Sequence, residues 1–254
     1  MSRKIVAANW KMHGSRAMVE SWIRLIRPIE GVELVLFPPV GYIGLANEIL
    51  SRHAPFLALG AQNVHEAAAG AFTGEASAEM VADLGGRYVI AGHLERRRYS
   101  GESDARIANK VRAAYRAGLQ PILCVGETLA ERSAGEAEAV VARQLTAVTA
   151  GLNGPERTTL IVAYEPVWAI GTGKSASALQ VEEMHNCIRG ILSAAGDIGK
   201  DKEMTVLYGG SVSETSADGL FQGPSVDGAL VGGVALDGAR FMKIGESLRR
   251  AKRL

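Results

Sequence analysis

The chain has 254 residues, of which 47% are hydrophobic and 22% charged, and its formal net charge is +1. A chain of this length and composition can bury a large apolar core in water without a disulfide framework. The small net charge excludes a global attraction to nucleic acid or to a membrane surface, although it permits a local anion site.

The cysteines and the N-terminal segment indicate the cellular compartment in which the protein is expected. Cys124 and Cys187 lie far apart and match no paired metal-binding or redox spacing, which favours a reducing compartment. The apolar run after residues 2–4 is broken at Asn9 and Lys11, too early for a signal peptide or a transmembrane helix. We therefore expect a cytoplasmic protein that binds neither membranes nor nucleic acid.

Eight short apolar runs are the first predicted elements. They are rich in Val, Ile and Leu, they are too short for helices, and none alternates cleanly with polar residues. Such runs are typical of strands buried on both faces in a parallel sheet. In chain order they span residues 5–8, 34–37, 57–60, 88–91, 121–125, 160–163, 205–207 and 228–231.

Longer amphipathic stretches separate these runs and predict helices. Examples are residues 16–27, 104–117, 129–149, 178–193 and 238–250. Gly118 is expected to stop the second of these helices, and Ser177 and Ser213 are candidate N-caps. Eight strands alternating with helices in an uninterrupted chain predict one (β/α)8 barrel over residues 1–254, with eight parallel strands and an outer ring of helices.

A doubly wound open sheet is the alternative α/β fold. That fold usually has fewer strands and places a glycine-rich turn after its first strand. Here the first strand ends in Asn9-Trp10-Lys11, which favours the barrel.

Polar residues and glycines follow the predicted strands, at the end where a (β/α)8 barrel carries its active site. Each one alone is typical of a turn or a helix cap. Together they bring a cation, an imidazole, carboxylates and two glycine pairs to one mouth, which indicates a site for a small anionic ligand. These residues are Asn9, Lys11, His93, Glu95, Glu165, Gly209, Gly210, Ser211, Gly232 and Gly233.

Longer motifs around these positions resemble the triosephosphate isomerase family, in the family's order and over nearly the whole chain. They are NWK at 9–11, QNV at 62–64, GAFTGE at 70–75, AGHLERR at 91–97, ILCVGE at 122–127, AYEPVWAIGTGK at 163–174, YGGSV at 208–212 and LVGG at 230–233. The resemblance implies a cofactor-free enzyme of glycolysis and gluconeogenesis. It would interconvert D-glyceraldehyde 3-phosphate and dihydroxyacetone phosphate through an enediolate.

The resemblance also implies roles for individual residues. Glu165 would be the base that removes a proton beside the carbonyl, and His93 the electrophile that hydrogen-bonds the carbonyl oxygen and shuttles protons between oxygens. Lys11 would stabilise negative charge on the enediolate and the phosphate. Asn9 would orient the substrate oxygen, and Glu95 would pair with Lys11 or orient it.

The remaining implied residues hold the phosphate and cover the site. Backbone N–H groups at Gly171, Ser211, Gly232 and Gly233 would bind the phosphate. Residues 166–176 would form a lid that excludes water from the enediolate. The supporting residues are Tyr208 with Ser211 as the latch of the closed lid, Ile170 with Leu230 as a clamp over Glu165, and Cys124 within the ILCVGE motif.

The segment 62–77 resembles the family's protruding loop that enters the active site of a second subunit. Thr73 would reach the region of Asn9 and Lys11 in that subunit. The resemblance therefore implies a symmetric homodimer.

The sequence gives little support for a nucleotide or a metal ion as a ligand. Residues 171–175 end like a nucleotide-binding loop, but the pattern requires glycine where Trp168 stands. The five histidines match neither the HExxH pattern nor a paired cysteine spacing, so no metal and no cofactor are expected.

Several positions depart from the family's pattern. Leu94 stands where the family has serine, Ala8 replaces a glycine, and Val234 and Ala235 replace alanine and serine. We expect Leu94 to perturb the base and to lower the turnover. The departures leave two alternatives open, namely isomerisation of a tetrulose phosphate and a non-catalytic barrel that binds sugar phosphates or a partner protein.

Overall fold

The computed structural model describes residues 2–169, 176–194 and 204–254. Within them, eight parallel strands pair in chain order and β1 also pairs with β8, so that the sheet closes into a barrel. The predicted (β/α)8 architecture is thereby confirmed. The strands are β1 (Ile5–Asn9), β2 (Glu33–Phe37), β3 (Ala58–Ala61), β4 (Tyr88–Ala91), β5 (Gln120–Val125), β6 (Ile161–Tyr164), β7 (Val206–Tyr208) and β8 (Gly228–Val231).

Helices surround the barrel and connect its strands. They are α1 (Arg16–Leu25), α2 (Ile43–His53), α3 (Ala78–Asp83), α4 (Leu94–Ser100), α5 (Asp104–Arg116), α6 (Leu129–Ser133), α7 (Ala137–Thr149), α8 (Gly154–Thr159), α9 (Ala178–Ala194), α10 (Ala217–Phe221) and α11 (Gly238–Lys252). Short 3-10 turns occupy Val40–Tyr42, Val167–Ala169 and Gly233–Leu236.

The predicted strands are buried on both faces, and this divides the core into two clusters. Alternate strand residues point into the barrel, where they form the inner cluster. Their neighbours point outward and pack against the helices, where Trp22 contacts both Trp10 and Phe241 at ring-centroid distances of 5.6 and 5.3 Å. The inner cluster is Ile5, Ala7, Val35, Phe37, Ala58, Tyr88, Ile90, Ile122, Cys124, Ile161, Ala163, Leu207 and Leu230.

Two of the three predicted helix-boundary signals act as expected. Gly118 adopts a left-handed φ of 72° just after α5 and donates its N–H to the carbonyl of Tyr115. The hydroxyl of Ser177 accepts the backbone N–H of Gln180, one turn into α9. Ser213 instead accepts the N–H of Ser216 in a separate turn, because α10 begins only at Ala217.

The predicted continuous helix over residues 129–149 is wrong. The chain forms α6 and then α7, separated by a turn in which Gly135 has a φ of 76°. A left-handed residue ends the hydrogen-bond pattern of an α-helix, and glycine adopts that conformation without steric cost. The apolar periodicity continues across the break, which is why it concealed the turn.

Candidate active site

A cavity of about 530 Å³ opens at the carboxyl ends of the strands. It collects residues that lie up to 225 positions apart in the sequence, as the barrel prediction required. Its lining includes the sequence-predicted residues Asn9, Lys11, His93, Glu95, Glu165, Gly209, Gly210, Ser211, Leu230, Gly232 and Gly233, and also Leu94, Arg98, Tyr99, Val212 and Val234.

Glu165 lies directly after β6 and is only 2% exposed. Its backbone N–H donates to the carbonyl of Val125 at 2.7 Å, which continues the pairing of β5 with β6. A Cβ at Gly126 would lie 1.9 Å from the carbonyl oxygen of Glu165, and one at Gly209 would lie 2.7 Å from its Cγ. Both glycines are therefore needed for the backbone and side chain of Glu165 to fit.

A backbone N–H group and an imidazole lie beside the carboxylate of Glu165. The backbone N–H of Leu94 donates to Oε2 at 2.9 Å, and Oε1 lies 3.3 Å from His93 Nε2. Leu94 is the first residue of α4, so its N–H has no partner within the helix and is free to bind an anion. The carboxylate is thus held against the start of this helix.

His93 caps the N-terminus of α4 through its side chain. Its Nδ1 accepts the backbone N–H of Glu95 at 3.3 Å, which requires a lone pair on that nitrogen. The hydrogen-bond pattern therefore assigns the proton of the neutral imidazole to Nε2, the nitrogen that faces Glu165. Because His93 also lines the cavity, this N–H group is within the space where a substrate oxygen could accept a hydrogen bond.

Lys11 adopts a left-handed φ of 53°, which is uncommon for a residue with a side chain. Two side chains hold this conformation. The backbone N–H of Lys11 donates to Asn9 Oδ1 at 3.1 Å, and its carbonyl accepts Gln62 Nε2 at 2.8 Å. The ammonium reaches across the mouth to Glu95 Oε1 at 2.7 Å, so the predicted pairing of Lys11 with Glu95 is present.

The glycine pair after β8 lies beside the ammonium group. A Cβ at Gly232 would be 3.5 Å from Lys11 Cε, and Gly233 begins the 3-10 turn Gly233–Leu236. Ser211 lines the same part of the cavity. Backbone without side chains, close to a cation, can approach an anion more closely than other backbone could.

Cys124 and Tyr208 lie behind this surface. Cys124 is fully buried inside the barrel, and burial together with the charge of Glu165 raises the pKa of its thiol well above the usual range. Burial also raises the pKa of Tyr208 to about 12. Its ring would collide with any side chain at Gly210, where a Cβ would lie 2.1 Å from the hydroxyl oxygen.

The start of the predicted lid is held by a buried carboxylate. Glu127 accepts Trp168 Nε1 at 2.8 Å, the Tyr164 hydroxyl at 3.1 Å and a guanidinium N–H of Arg132 at 2.9 Å. Burial and the charge of Glu127 raise the pKa of Tyr164 well above its usual value. The predicted site residues Ile170 and Gly171 lie outside the described residues, as does most of the segment 166–176.

Sequence reasoning missed three contributors to this site. Gln62 belongs to the QNV motif, but its contact with Lys11 depends on the packing of two loops. Arg98 and Tyr99 reach the mouth from α4, where each lies about one helical turn after a residue that lines the cavity, Leu94 and Glu95 respectively, so helical spacing could have found them. Among the described residues, no group of three or more His, Cys, Asp or Glu side chains could hold a metal ion.

The family model described as triosephosphate isomerase matches residues 4–248. The chain belongs to the triosephosphate isomerase family. It is 48% identical over 245 residues to the triosephosphate isomerase of Thiobacillus denitrificans, a match that covers 96% of this chain and 98% of that protein. The corresponding enzyme of Dechloromonas aromatica is 47% identical, with 96% and 98% covered. That of Coxiella burnetii is 44% identical, with 98% of each chain covered.

Membership of the triosephosphate isomerase family confirms the predicted enzyme class and the predicted isomerisation between the two triose phosphates. Leu94 and Val234 nevertheless line the cavity itself, so two of the departures noted in the sequence touch the space that a substrate would fill. In the described residues, no helix is both long and apolar enough to cross a membrane.

Proposed function

We propose that Glu165, His93 and Lys11 carry out the interconversion of D-glyceraldehyde 3-phosphate and dihydroxyacetone phosphate in this cavity. One relationship supports the proposal above all others. The buried carboxylate of Glu165 and the Nε2–H group of His93 are 3.3 Å apart on one side of a cavity that has a cation and a glycine pair on another side. A base and a hydrogen-bond donor so placed can act on neighbouring atoms of one small substrate.

The chemistry balances with these groups and no cofactor. Glu165 removes a proton from the carbon beside the carbonyl, and the electron pair of that C–H bond forms the C=C bond while the carbonyl oxygen becomes an enediolate oxygen. His93 Nε2–H and the Lys11 ammonium stabilise that oxygen. The Nε2–H of His93 gives its proton to that oxygen, and Nε2 then takes the proton of the hydroxyl on the neighbouring carbon, whose oxygen becomes the new carbonyl oxygen. As that C=O bond forms, the electron pair of the C=C bond takes the proton back from Glu165 at the former carbonyl carbon, which completes the exchange of aldehyde and ketone.

The phosphate is proposed to bind at the end of the cavity formed by Ser211, Gly232 and Gly233, with Gly171 as the fourth contact implied by the family resemblance. The Lys11 ammonium lies beside this end, which supports the assignment. Backbone N–H groups and one cation can bind a dianion without the strict geometry of a side-chain clamp.

Residues 166–176 are proposed to close over the bound substrate. The hydrogen bond from Trp168 to Glu127 gives the segment a fixed N-terminal attachment, and this supports hinge-like movement. Tyr208 and Ser211 would latch the closed segment, and Leu230, which is buried at the cavity wall, would cover Glu165 together with Ile170.

A symmetric homodimer is proposed on the basis of exposed apolar side chains near the mouth. Met12 is 93% exposed and Tyr99 is 73% exposed, and Phe72 projects from the segment 62–77, where its ring lies 4.0 Å from that of His65. Exposed apolar surface can mark a region that a partner covers. Thr73 would enter the partner's mouth near Lys11.

A cytoplasmic location is proposed as well. Neither Cys124 nor Cys187 is in a disulfide. Free thiols are typical of proteins from reducing compartments.

The proposal is tested by assaying the purified chain with triose and tetrulose phosphates in parallel. We expect higher kcat/KM with the triose phosphates, whereas a preference for the tetrulose phosphate would reassign the substrate. Glu165→Asp should lower kcat at least about a hundredfold with little change in KM, because the shorter side chain withdraws the base from the substrate. An unchanged kcat would remove Glu165 from the role of base.

A further inference from the structure

The catalytic cavity is lined by a charged residue that the proposed reaction does not use. Among the described residues, four charged side chains line the cavity, namely Lys11, Glu95, Arg98 and Glu165. Lys11 and Glu95 form an ion pair at 2.7 Å, so their charges cancel. The net formal charge of the cavity lining therefore depends on Glu165 and Arg98, which have opposite signs. Without Arg98, this wall would carry a formal charge of −1 towards a substrate that is itself a dianion.

Within the described residues of this chain, no neighbour neutralises the charge of Arg98. In the parts of the chain that the structure describes, no ion pair or side-chain hydrogen bond involves Arg98, and its guanidinium carbon lies 5.2 Å from the centroid of the Tyr99 ring. The two preceding arginines differ, since Arg96 pairs with Glu102 at 2.7 Å and Arg97 with Asp104 at 2.6 Å. Arg98 is therefore the member of this arginine run whose charge acts on the mouth.

We propose that Arg98 draws phosphate dianions into the cavity and offsets the repulsion from Glu165. The proposal rests on the proposed function, because it concerns entry of the same substrate into the same site. A cation at the mouth of a concave site raises the local concentration of anions and their rate of entry. It need not touch the reacting atoms, so it acts on kcat/KM and leaves kcat alone.

The experiment is a charge series at one position. The variants are Arg98→Lys, Arg98→Gln and Arg98→Glu, each assayed for kcat and KM with D-glyceraldehyde 3-phosphate over a range of ionic strength. At about 10 mM salt we expect kcat/KM to fall about fivefold in the glutamine variant and about 25-fold in the glutamate variant, since each charge step acts on a dianion across the mouth. The lysine variant should retain most of the parental value.

Salt separates this effect from a structural one. The Debye length falls from about 30 Å at 10 mM to about 8 Å at 150 mM, so the differences among the variants should shrink as salt is added. Arg87→Gln is the matched control. Arg87 is exposed and lies directly before β4, at the opposite end of the barrel. The substitution Arg87→Gln therefore removes the same charge far from the mouth.

Three results would overturn the proposal. The first is a decrease of kcat/KM in Arg98→Gln that is the same at all salt concentrations, or a decrease that arises from kcat and not from KM. The second is an equal loss in Arg87→Gln. The third is a change in molar mass by light scattering in the Arg98 variants, because the residue would then act through assembly.

A failure of the proposal for Arg98 can be distinguished from a failure of the proposed function. If the parental chain turned over none of the sugar phosphates, the proposed function would fail by itself. Titration of inorganic phosphate into the parental chain and into Arg98→Gln, followed by calorimetry, would still compare their anion binding. Weaker phosphate binding in the variant at low salt would support the role of Arg98, and equal binding would overturn it.

Discussion

The backbone N–H of Leu94 holds the carboxylate of Glu165 with a 2.9 Å hydrogen bond to Oε2. A serine at this position would also offer the carboxylate a hydroxyl. In this chain, the backbone N–H of Leu94 and the imidazole of His93 position the Glu165 carboxylate instead. Because the donor belongs to the first residue of α4, the bond can be removed without breaking the helix.

Leu94→Pro should lower kcat about tenfold or more. Proline is well tolerated at the first helical position, and His93, with a ψ of 141°, has the extended conformation that a residue before proline prefers. The substitution removes the N–H, and the ring occupies space next to the carboxylate. A hydrogen bond to a charged group contributes about 1.5–3 kcal/mol, which sets the size of the effect.

Leu94→Ala is the control for that experiment because it keeps the N–H and removes the side chain. Its kcat should stay within about threefold of the parental value in the same coupled assay. If the alanine variant lost as much activity as the proline variant, the side chain of Leu94 rather than its N–H would be what matters.

Gln62→Leu should lower kcat/KM by about tenfold or more. The side-chain amide of Gln62 donates to the carbonyls of Lys11 at 2.8 Å and Phe37 at 2.9 Å, and so it stabilises the left-handed backbone of Lys11. Losing both bonds lets Lys11 relax towards ordinary backbone angles, which moves its ammonium away from the substrate.

Gln120→Leu provides a matched comparison for the Gln62 variant. Its amide also donates to two carbonyls, those of Pro121 and Thr159, but at the opposite end of the barrel. Steady-state kinetics should show near-parental kcat/KM for this variant. Equal losses in both glutamine variants would point to general destabilisation instead of displacement of Lys11.

Lys110→Met should lower the free energy of unfolding by about 3 kcal/mol. Lys110 is 1% exposed and its ammonium donates to Glu102 and to Asn63 at 2.6 Å each. Burial alone would raise the pKa of Glu102, but Lys110 and Arg96 together hold it below the usual value. Removing Lys110 leaves the buried carboxylate of Glu102 with Arg96 as its remaining ion-pair partner among the described residues, which is strongly destabilising.

The double variant Lys110→Met, Glu102→Leu provides the cross-check. With both charges gone, urea unfolding at fixed protein concentration should recover much of the stability lost in the single variant. If the double variant were less stable by the sum of the two single losses, the two residues would not be coupled.

His185 should make the protein lose stability on mild acidification. It is 0% exposed, its Nδ1–H faces the carbonyl of Ser225 at 3.1 Å, and burial lowers its pKa to about 4. Below pH 6.5 the unfolded chain takes up a proton that the folded chain refuses, so stability present at neutral pH is lost as pH falls from about 6.5 towards 4. From pH 7.5 to 5 this corresponds to about 2 kcal/mol.

His185→Asn removes the titrating group while keeping an N–H donor for the Ser225 carbonyl. Urea unfolding of parent and variant at pH 7.5 and 5.0 should show a smaller pH-dependent loss for the variant, by about 2 kcal/mol. The same loss in both proteins would mean that other groups account for the acid sensitivity.

The sequence by itself determined the barrel and most of the residues that line the cavity of the candidate site. Eight apolar runs without alternation can be buried only in a sheet covered on both faces, and residues such as Lys11, His93 and Glu165 follow the runs directly. Parallel strands in a closed barrel bring their carboxyl ends together, so the placement of these residues required only their order along the chain.

The tertiary structure decided what depends on contacts between segments distant in sequence. The support of Lys11 by Gln62 and the burial of Lys110 with Glu102 arise only when loops and helices pack. The break at Gly135 arises because a left-handed residue ends α6 although the apolar pattern continues. Local pattern sets which face of an element is apolar, whereas side-chain pairing is set by which elements meet.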